Sequence, residues 1–505
     1  MFSLFPDSPT KEQLMPLPLF SRPDGFALRG LQFLCRVLDE VMPMNGTQKR
    51  DLPLACRDLS ALLTTERSAL ARPYWTSPRF TSAYLRYFLP WNLVRLTALL
   101  PGLELGEIPD SPLILDLGSG PLTLPLALWL SRPDLRARPV TMVVSDTAPH
   151  ILELGKTLFE RLRTELAPQS PWNVRSMRAS AAQALRRLYA GPGELWLLSM
   201  GNVLNEMEER RARPGCRLSV RMRALLEEAA DKLGENGLIF AVEPGTRQGG
   251  RLMAHLRKSA LGGAAEDEDA DGLTALALRE EYSARLEDDE DWENGRKNTR
   301  EDEEDASPPL FRPLAPCPHA AACPMLDRRS TAWCHMNAPA GHAPEELLEL
   351  SARAGLSKDS VSLSFLLLRK LRSGEGLPAP ARGRRLAARL VSDAFVVPAL
   401  PGRARYACTE RGLALVPQSA HLPPGALCEG FSTSARDRKS GAFLLKLDEE
   451  PNPAPRTDTR PPRRPAGNRK NDETAGRKHP FRRSAAGGRE APPHKKGRTR
   501  DERGG

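Results

Sequence analysis

The sequence predicts an α/β protein built on a Rossmann-like parallel sheet. Two observations carry that prediction. From residue 113 onward, short apolar runs alternate with helical patterns, the signature of strands joined by crossover helices. The first of those runs ends in an acidic residue and a glycine turn, Asp116-Leu117-Gly118-Ser119-Gly120. A third observation, the segregation of charge, separates the folded body from its appendages. The chain of 505 residues is 40% apolar with 47 prolines. That is enough for two or three domains carrying unstructured segments.

Residues 1–105 form a helical N-terminal region. Apolar positions recur three and four apart in LRGLQFLCRVLDEVM and TSAYLRYFLPWNLVRLTALL, and Pro101-Gly102 closes the block. Residues 106–450 form the core. Its first strand is 113–117 (LILDL), followed by the glycine turn and the helix LPLALWLSR. A second strand, 140–145, is closed by Asp146, and a helix covers about 149–166. A weaker third strand lies at 172–175 and a fourth at 194–199, ending in MGNVLNEM. A helix near 217–233 leads to a fifth strand, 237–242, and the turn Glu243-Pro244-Gly245. Later strands are 361–369 and, with a turn, 406–416.

The net charge of +10 is an uneven average. Residues 451–505 hold 16 Lys and Arg against 6 Asp and Glu, which leaves 57 of each sign in residues 1–450. The tail is rich in Pro, Gly and Arg, cannot bury a core, and reads as a disordered polyanion-binding arm with nucleic acid as its expected partner, a solvated tail that only aids solubility being the alternative. Residues 266–306 are the reverse, an acidic disordered insertion with a short helical piece near 273–282. The longest apolar run, residues 122–130, is too short to span a bilayer. The N-terminal residues lack the pattern of a secretory signal or organelle presequence. The expectation is a soluble, monomeric protein of the bacterial cytoplasm with no membrane partner. In that reducing compartment clustered cysteines point to metal rather than disulfides.

In the glycine turn, Gly118 and Gly120 let the backbone approach a ligand, and the following helix presents unpaired N–H groups. Asp146, at the tip of the second strand, is spaced to accept the hydroxyls of a ribose. The third glycine of the dinucleotide fingerprint is missing, which points to S-adenosylmethionine rather than NAD. The expected architecture is therefore the class I S-adenosylmethionine methyltransferase fold, with Asp116, Gly118, Ser119, Gly120 and Asp146 binding the cofactor. Leu122 stands where a small residue is usual, and the third-strand tip Arg178-Ala179-Ser180 lacks a carboxylate. The fourth-strand tip carries neither an Asn/Asp-Pro-Pro-aromatic turn nor a nucleophilic cysteine. Asn202, Asn205 or Glu206 could bond a substrate or cap the next helix. No catalytic residue is visible.

Residues 311–340 form a cysteine loop. Cys317, Cys323 and Cys334 lie within it, with His319 and His335, and Cys408 follows in RYACTERG. Compact zinc knuckles favour tight C-x2–4-C pairs, which are absent here. Four thiolates at irregular spacing suit an iron–sulfur cluster. Zn2+ completed by a histidine is the alternative, and ordinary reduced thiols are the plain one. Prolines after Cys317 and Cys323 and Trp333 beside Cys334 weigh against plain thiols. Cys35, Cys56 and Cys216 look like packing residues, and Cys428 is a weaker ligand candidate.

The set DLGSGPLT, NVLNEM, GLIFAVEPGTRQGGRLM, CPHAAACP, WCH and CT-x-x-G resembles the methyltransferase-like proteins of the small ribosomal subunit. These are known from mitochondria and many bacteria. The resemblance spans about residues 70–420 without the acidic insertion. It implies a four-iron cluster on Cys317, Cys323, Cys334 and Cys408, a cofactor loop at residues 116–120, and an rRNA partner on the small ribosomal subunit. It leaves open two roles, an rRNA methyltransferase and a non-catalytic assembly factor. A methyltransferase of a small molecule or protein is the third alternative.

Overall fold

The computed structural model describes residues 18–64, 74–205, 218–263, 307–326, 332–380, 383–398 and 400–447. The acidic insertion, the basic tail, Glu206 and Cys216 lie outside them.

The N-terminal helices are α1 (Gly25–Val41), α2 (Gly46–Thr64), α3 (Pro78–Ala83) and α4 (Leu89–Leu99), with a π-helical turn at Tyr84–Phe88 before α4. Asp24 caps α1, its Oδ1 accepting the Ala27 N–H at 2.7 Å. The helix buries Leu31, Leu34 and Leu38, three and four apart. α4 is apolar on every side and buried along its length, so Arg95 within it is placed inside the protein.

Parallel strands β1 (Leu113–Leu117), β2 (Thr141–Asp146), β3 (Asn173–Arg178), β4 (Leu195–Gly201) and β5 (Leu233–Pro244) lie in the order β3-β2-β1-β4-β5. Beyond β5 the sheet takes an antiparallel strand from late in the chain, β8 (Ser360–Lys370). β8 in turn pairs with β6 (Phe311–Ala315) and β7 (Met336–Pro339). Five parallel strands with one reversed strand inserted next to the fifth make this the class I methyltransferase fold.

The helices are α5 (Thr123–Ser131), α6 (Pro133–Arg136), α7 (Pro149–Leu166), α8 (Ala181–Arg187), α9 (Leu218–Lys232), α10 (Arg247–Ala260) and α11 (Glu345–Ala354). Because they cover both faces, β1, β2 and β4 are almost wholly buried and read as predominantly apolar runs. β3 is an edge strand and mostly exposed, which is why its apolar signal is weak. Trp129 of α5 is fully buried, and its Nε1 donates to Ser170 Oγ at 3.0 Å. Strand order reverses at β1, whose neighbours β2 and β4 are followed by helices leading in opposite directions. A crevice therefore opens at the carboxyl ends of these strands.

The segment expected as one strand and a turn at 406–416 is two strands of a separate barrel. Its members are β9 (Arg385–Leu390), β10 (Phe395–Val396), β11 (Arg403–Thr409), β12 (Gly412–Val416), β13 (Leu427–Arg436) and β14 (Phe443–Leu447). A β9–β11 pairing closes the ring, and Leu386, Ala388, Leu390, Ala407, Val416, Phe443 and Leu445 fill it.

Candidate functional site

The strand tips build a polar cleft. Gly118 and Gly120 have φ of +65° and +51°, and a Cβ on Gly118 would lie 2.5 Å from Val203 Cγ2. Only glycine fits there without strain. Ser119 ties the loop to β2: its N–H donates to Ser145 O at 2.9 Å, and its Oγ accepts the Ser145 N–H at 3.1 Å. Asp146 Oδ2 accepts the Gly120 N–H at 3.0 Å while Oδ1 accepts that of Ala148 at 2.9 Å. The five residues expected at a cofactor therefore come together around one turn.

Leu122 takes a left-handed conformation (φ 63°), a cost of about 1–2 kcal/mol for such a residue. Its side chain packs against Gly155 of α7, where a Cβ would meet Leu122 Cδ1 at 2.5 Å. It is not among the residues lining the cleft. The departure at this position is accommodated on the far side of the loop.

The cleft is also lined by Tyr74, Trp75, Tyr84, Arg95 and Asn202. The Tyr74 and Tyr84 rings stack with centroids 5.6 Å apart, and Trp75 meets Tyr84 edge-on at 4.6 Å. Arg95 donates from Nη1 to Ser362 O at 3.0 Å and from Nη2 to Asn202 Oδ1 at 3.1 Å, while its buried Nε has no partner. Burial pushes its pKa down to about 10, against the charges of Tyr84 and Glu243, so it stays a cation at neutral pH. Asp116 accepts the Ser199 hydroxyl at 2.6 Å and is pushed up to about 7 by burial. The Ser199 and Ser119 hydrogen bonds oppose that rise, and the nearby Asp146 charge adds to it.

Glu243, fully buried, accepts the Leu204 N–H at 2.8 Å and Asn205 Nδ2 at 2.6 Å. Of the tip residues singled out in the sequence, Asn205 thus braces β4 against β5. Asn202 holds Arg95. Among the described residues lining the cleft there is no His, Lys or Cys. Arg95 carried no sequence signal, because its partners lie far away in the chain on the β4 tip and β8.

A second cavity gathers Cys317, Cys323, Cys334 and Cys408, with Met253, Arg257 and Phe365 also on its wall. Cys317 follows β6, Cys323 precedes a 3-10 turn, and Cys334 leads into β7. The Cys334 carbonyl accepts the Ser364 hydroxyl at 2.7 Å. Cys408 enters from barrel strand β11. Gly250 of α10 lets the loop approach, since a Cβ there would lie 3.0 Å from Cys334 O and from the Trp333 ring.

Burial, then the neighbouring thiols, pushes Cys323 up to about 11 and Cys334 and Cys408 well above the usual thiol range. Arg257, 2% exposed, reaches into this cavity. Its Nη2 donates to His319 O at 2.8 Å and Ala321 O at 2.7 Å, and its Nε has no partner. Burial opposes its charge, and Cys317, Cys323 and Cys408 more than offset that, so its pKa is raised. Arg389 donates to Pro316 O at 3.0 Å and Gly425 O at 2.8 Å and faces Cys317, Cys428 and Cys334. Neither arginine has a carboxylate partner among the described residues.

His319 Nε2 lies 3.2 Å from Cys408 Sγ, whereas His335 stacks on Trp333 at 4.7 Å and turns toward Asp393. Cys56 is buried in the helical region, and Cys428 sits in the barrel core. No three His, Cys, Asp or Glu side chains among the described residues are grouped to hold a metal ion. The donors instead stand around a shared space.

No protein-family model matches the chain, and no curated protein matches it. Solved structures with some likeness include an arsenic(III) S-adenosylmethionine methyltransferase from Chlamydomonas reinhardtii. It has 14% identity and a TM-score of 0.24, over 57% of this chain and 74% of that one. Another is the YcgJ protein of Bacillus subtilis, with 13% identity and a TM-score of 0.24, over 54% and 95%. A third is a SAM-dependent methyltransferase from Aquifex aeolicus, with 11% identity and a TM-score of 0.19, over 35% and 73%. The fold rests on the strand order, not on these likenesses.

Proposed function

We propose that the chain is a methyltransferase-like RNA-binding protein of the small ribosomal subunit, holding S-adenosylmethionine in the strand-tip cleft and a 4Fe-4S cluster among its four cysteines. One observation carries the reading: four thiols share a cavity with buried Arg257, which has no carboxylate partner among the described residues. Burying such a cation without an anion costs several kcal/mol. A thiolate-ligated iron–sulfur centre would supply the missing negative charge. Zn2+ is the alternative, with His319, 3.2 Å from Cys408 Sγ, completing its ligands. The resemblance of the CPH, CP and WCH motifs supports the ribosomal setting.

In the cleft, Asp146 would accept from the ribose and the Gly118–Gly120 turn would lie along the cofactor. Arg95, with its unpaired Nε, would face the carboxylate end. When bound, S-adenosylmethionine supplies an electrophilic methyl group. The residues of this chain hold and orient it and, through the aromatic wall, exclude water. The non-catalytic role is favoured by the strand-four tip, where Asn202 and Asn205 are engaged in bracing bonds. Anaerobically purified protein, incubated with small subunits and sedimented through sucrose, should co-migrate with them. Its iron-free form should bind more weakly. Absence of co-migration by both forms would refute the ribosomal reading.

A further inference from the structure

The strands of the C-terminal barrel form a closed circuit. β9 pairs with β11, β11 with β12, β12 runs parallel to β14, β14 pairs with β13, and β13 returns to β9. One parallel pair in an otherwise antiparallel ring of five is the connectivity of the oligonucleotide/oligosaccharide-binding barrel, which takes ligands on its second and third strands. Here that face is closed. Ala404, Tyr406, Leu413 and Leu415 pack against Met325 and Ala332 of the cysteine loop, and Cys408 lines the thiol cavity. The fold alone therefore places no ligand; the surface left open must do so.

That surface is the β13–β14 hairpin. Phe431 points outward and is 48% exposed, while its neighbour Gly430 is buried. Its cross-strand partners are Lys446 on β14 and Arg385 on β9, both exposed. Arg436, Arg438 and Lys439 crowd the hairpin tip and are exposed. Two acids lie on this side. Asp437 is occupied within the turn, accepting the Ser440 N–H and O–H at 2.8 and 2.5 Å, and Glu429 pairs with Arg385 at 2.6 Å. Residues 383–447 carry ten Lys and Arg against four Asp and Glu, in a body of residues 1–450 whose charges balance as a whole.

We propose that this hairpin face binds single-stranded RNA, with Phe431 stacking on a base and Lys446, Arg385 and the tip residues following the phosphates. An exposed aromatic set among cations is the device by which a protein holds a strand whose bases are free to splay. A duplex hides its bases and could use only the cations. The proposal deepens the RNA association proposed above and rests on it.

The test uses the full chain and a fluorescein-labelled oligouridylate of about 12 nucleotides, a length within the range such barrels cover. Anisotropy is read at low and at elevated salt, where the purely electrostatic contribution of the tail falls away while stacking persists. Wild type should bind the single strand more tightly than a duplex of equal length. Phe431→Ala should weaken binding about tenfold at elevated salt, with an unchanged melting temperature, and Phe431→Trp should retain it. Lys446→Gln should reduce the salt slope by about 0.7.

Phe431→Ala binding within twofold of wild type overturns this surface while leaving RNA association intact. No binding by wild type overturns both. If Phe431→Ala changes the sedimenting mass of the protein but not its RNA affinity, the face is a protein contact and the proposal fails.

Discussion

His319 Nε2 stands 3.2 Å from Cys408 Sγ, joining the cysteine loop to a barrel strand 89 positions later in the chain. The contact brings a thiol of the barrel into the cavity formed by the three thiols of the loop. A centre held by all four thiols, as proposed, would fasten the barrel to the sheet, and its binding would contribute to the folding energy of this region.

Cys408→Ser and Cys317→Ser should each lose the broad absorbance near 400 nm of anaerobically purified protein, and should expose the 383–447 region to proteolysis. Cys428→Ser, which alters a barrel-core thiol outside the cavity, should keep the absorbance. Equal loss in all three variants would mean that the thiols act only through packing.

Asp116 predicts a pH dependence of stability. Its folded pKa is raised from 3.8 to about 7, so between those values the folded state keeps a proton that the unfolded state releases. Stability from this group is therefore highest at low pH and falls by about 1.4 kcal/mol per pH unit through that window. It levels off above about pH 7. Asp116→Asn can still accept from Ser199 and should remove this slope. Urea denaturation at pH 5 and pH 8 should show the variant gaining on wild type at the higher pH. A parallel shift at both values would contradict the assignment.

Asp146 both orders the glycine turn and faces the cleft. Asp146→Ala should lower S-adenosylmethionine affinity by tenfold or more in titration calorimetry. The loss of two backbone hydrogen bonds should also cost about 1–3 kcal/mol of stability. Arg95→Leu should weaken S-adenosylmethionine while leaving 5′-methylthioadenosine, which lacks the carboxylate, unaffected. Heat from neither ligand with wild type would leave the cleft a purely structural feature.

Removal of residues 451–505 deletes 16 cations and 6 acids. RNA affinity at low salt should fall, and the slope of log K against log salt should flatten. An unchanged slope would show that the tail makes no contact with RNA.

The buried parallel strands were legible because both faces of the sheet are covered, which makes β1, β4 and the Leu238–Val242 stretch of β5 predominantly apolar. The glycine turn was legible because a positive φ calls for glycine. The barrel was not. In β9 the inward Leu386, Ala388 and Leu390 alternate with Arg385, Ala387 and Arg389, a pattern too short and too charged to stand out as a strand. α10 was hidden by Gly249 and Gly250, a helix-weakening pair present because the end of β5 packs against the first and the cysteine loop against the second. The buried cations Arg95 and Arg257 and the half-buried Arg389 gave no local signal at all. Each is explained by partners that only the tertiary fold brings near.

The measurement that bears most directly on the account is the metal content of the anaerobically purified full chain, with iron, acid-labile sulfide and zinc determined together. A 4Fe-4S centre on these four thiols predicts about four iron and four sulfide per chain, both lost in Cys408→Ser. One zinc per chain without iron, or a chain that carries no metal at all, would contradict it.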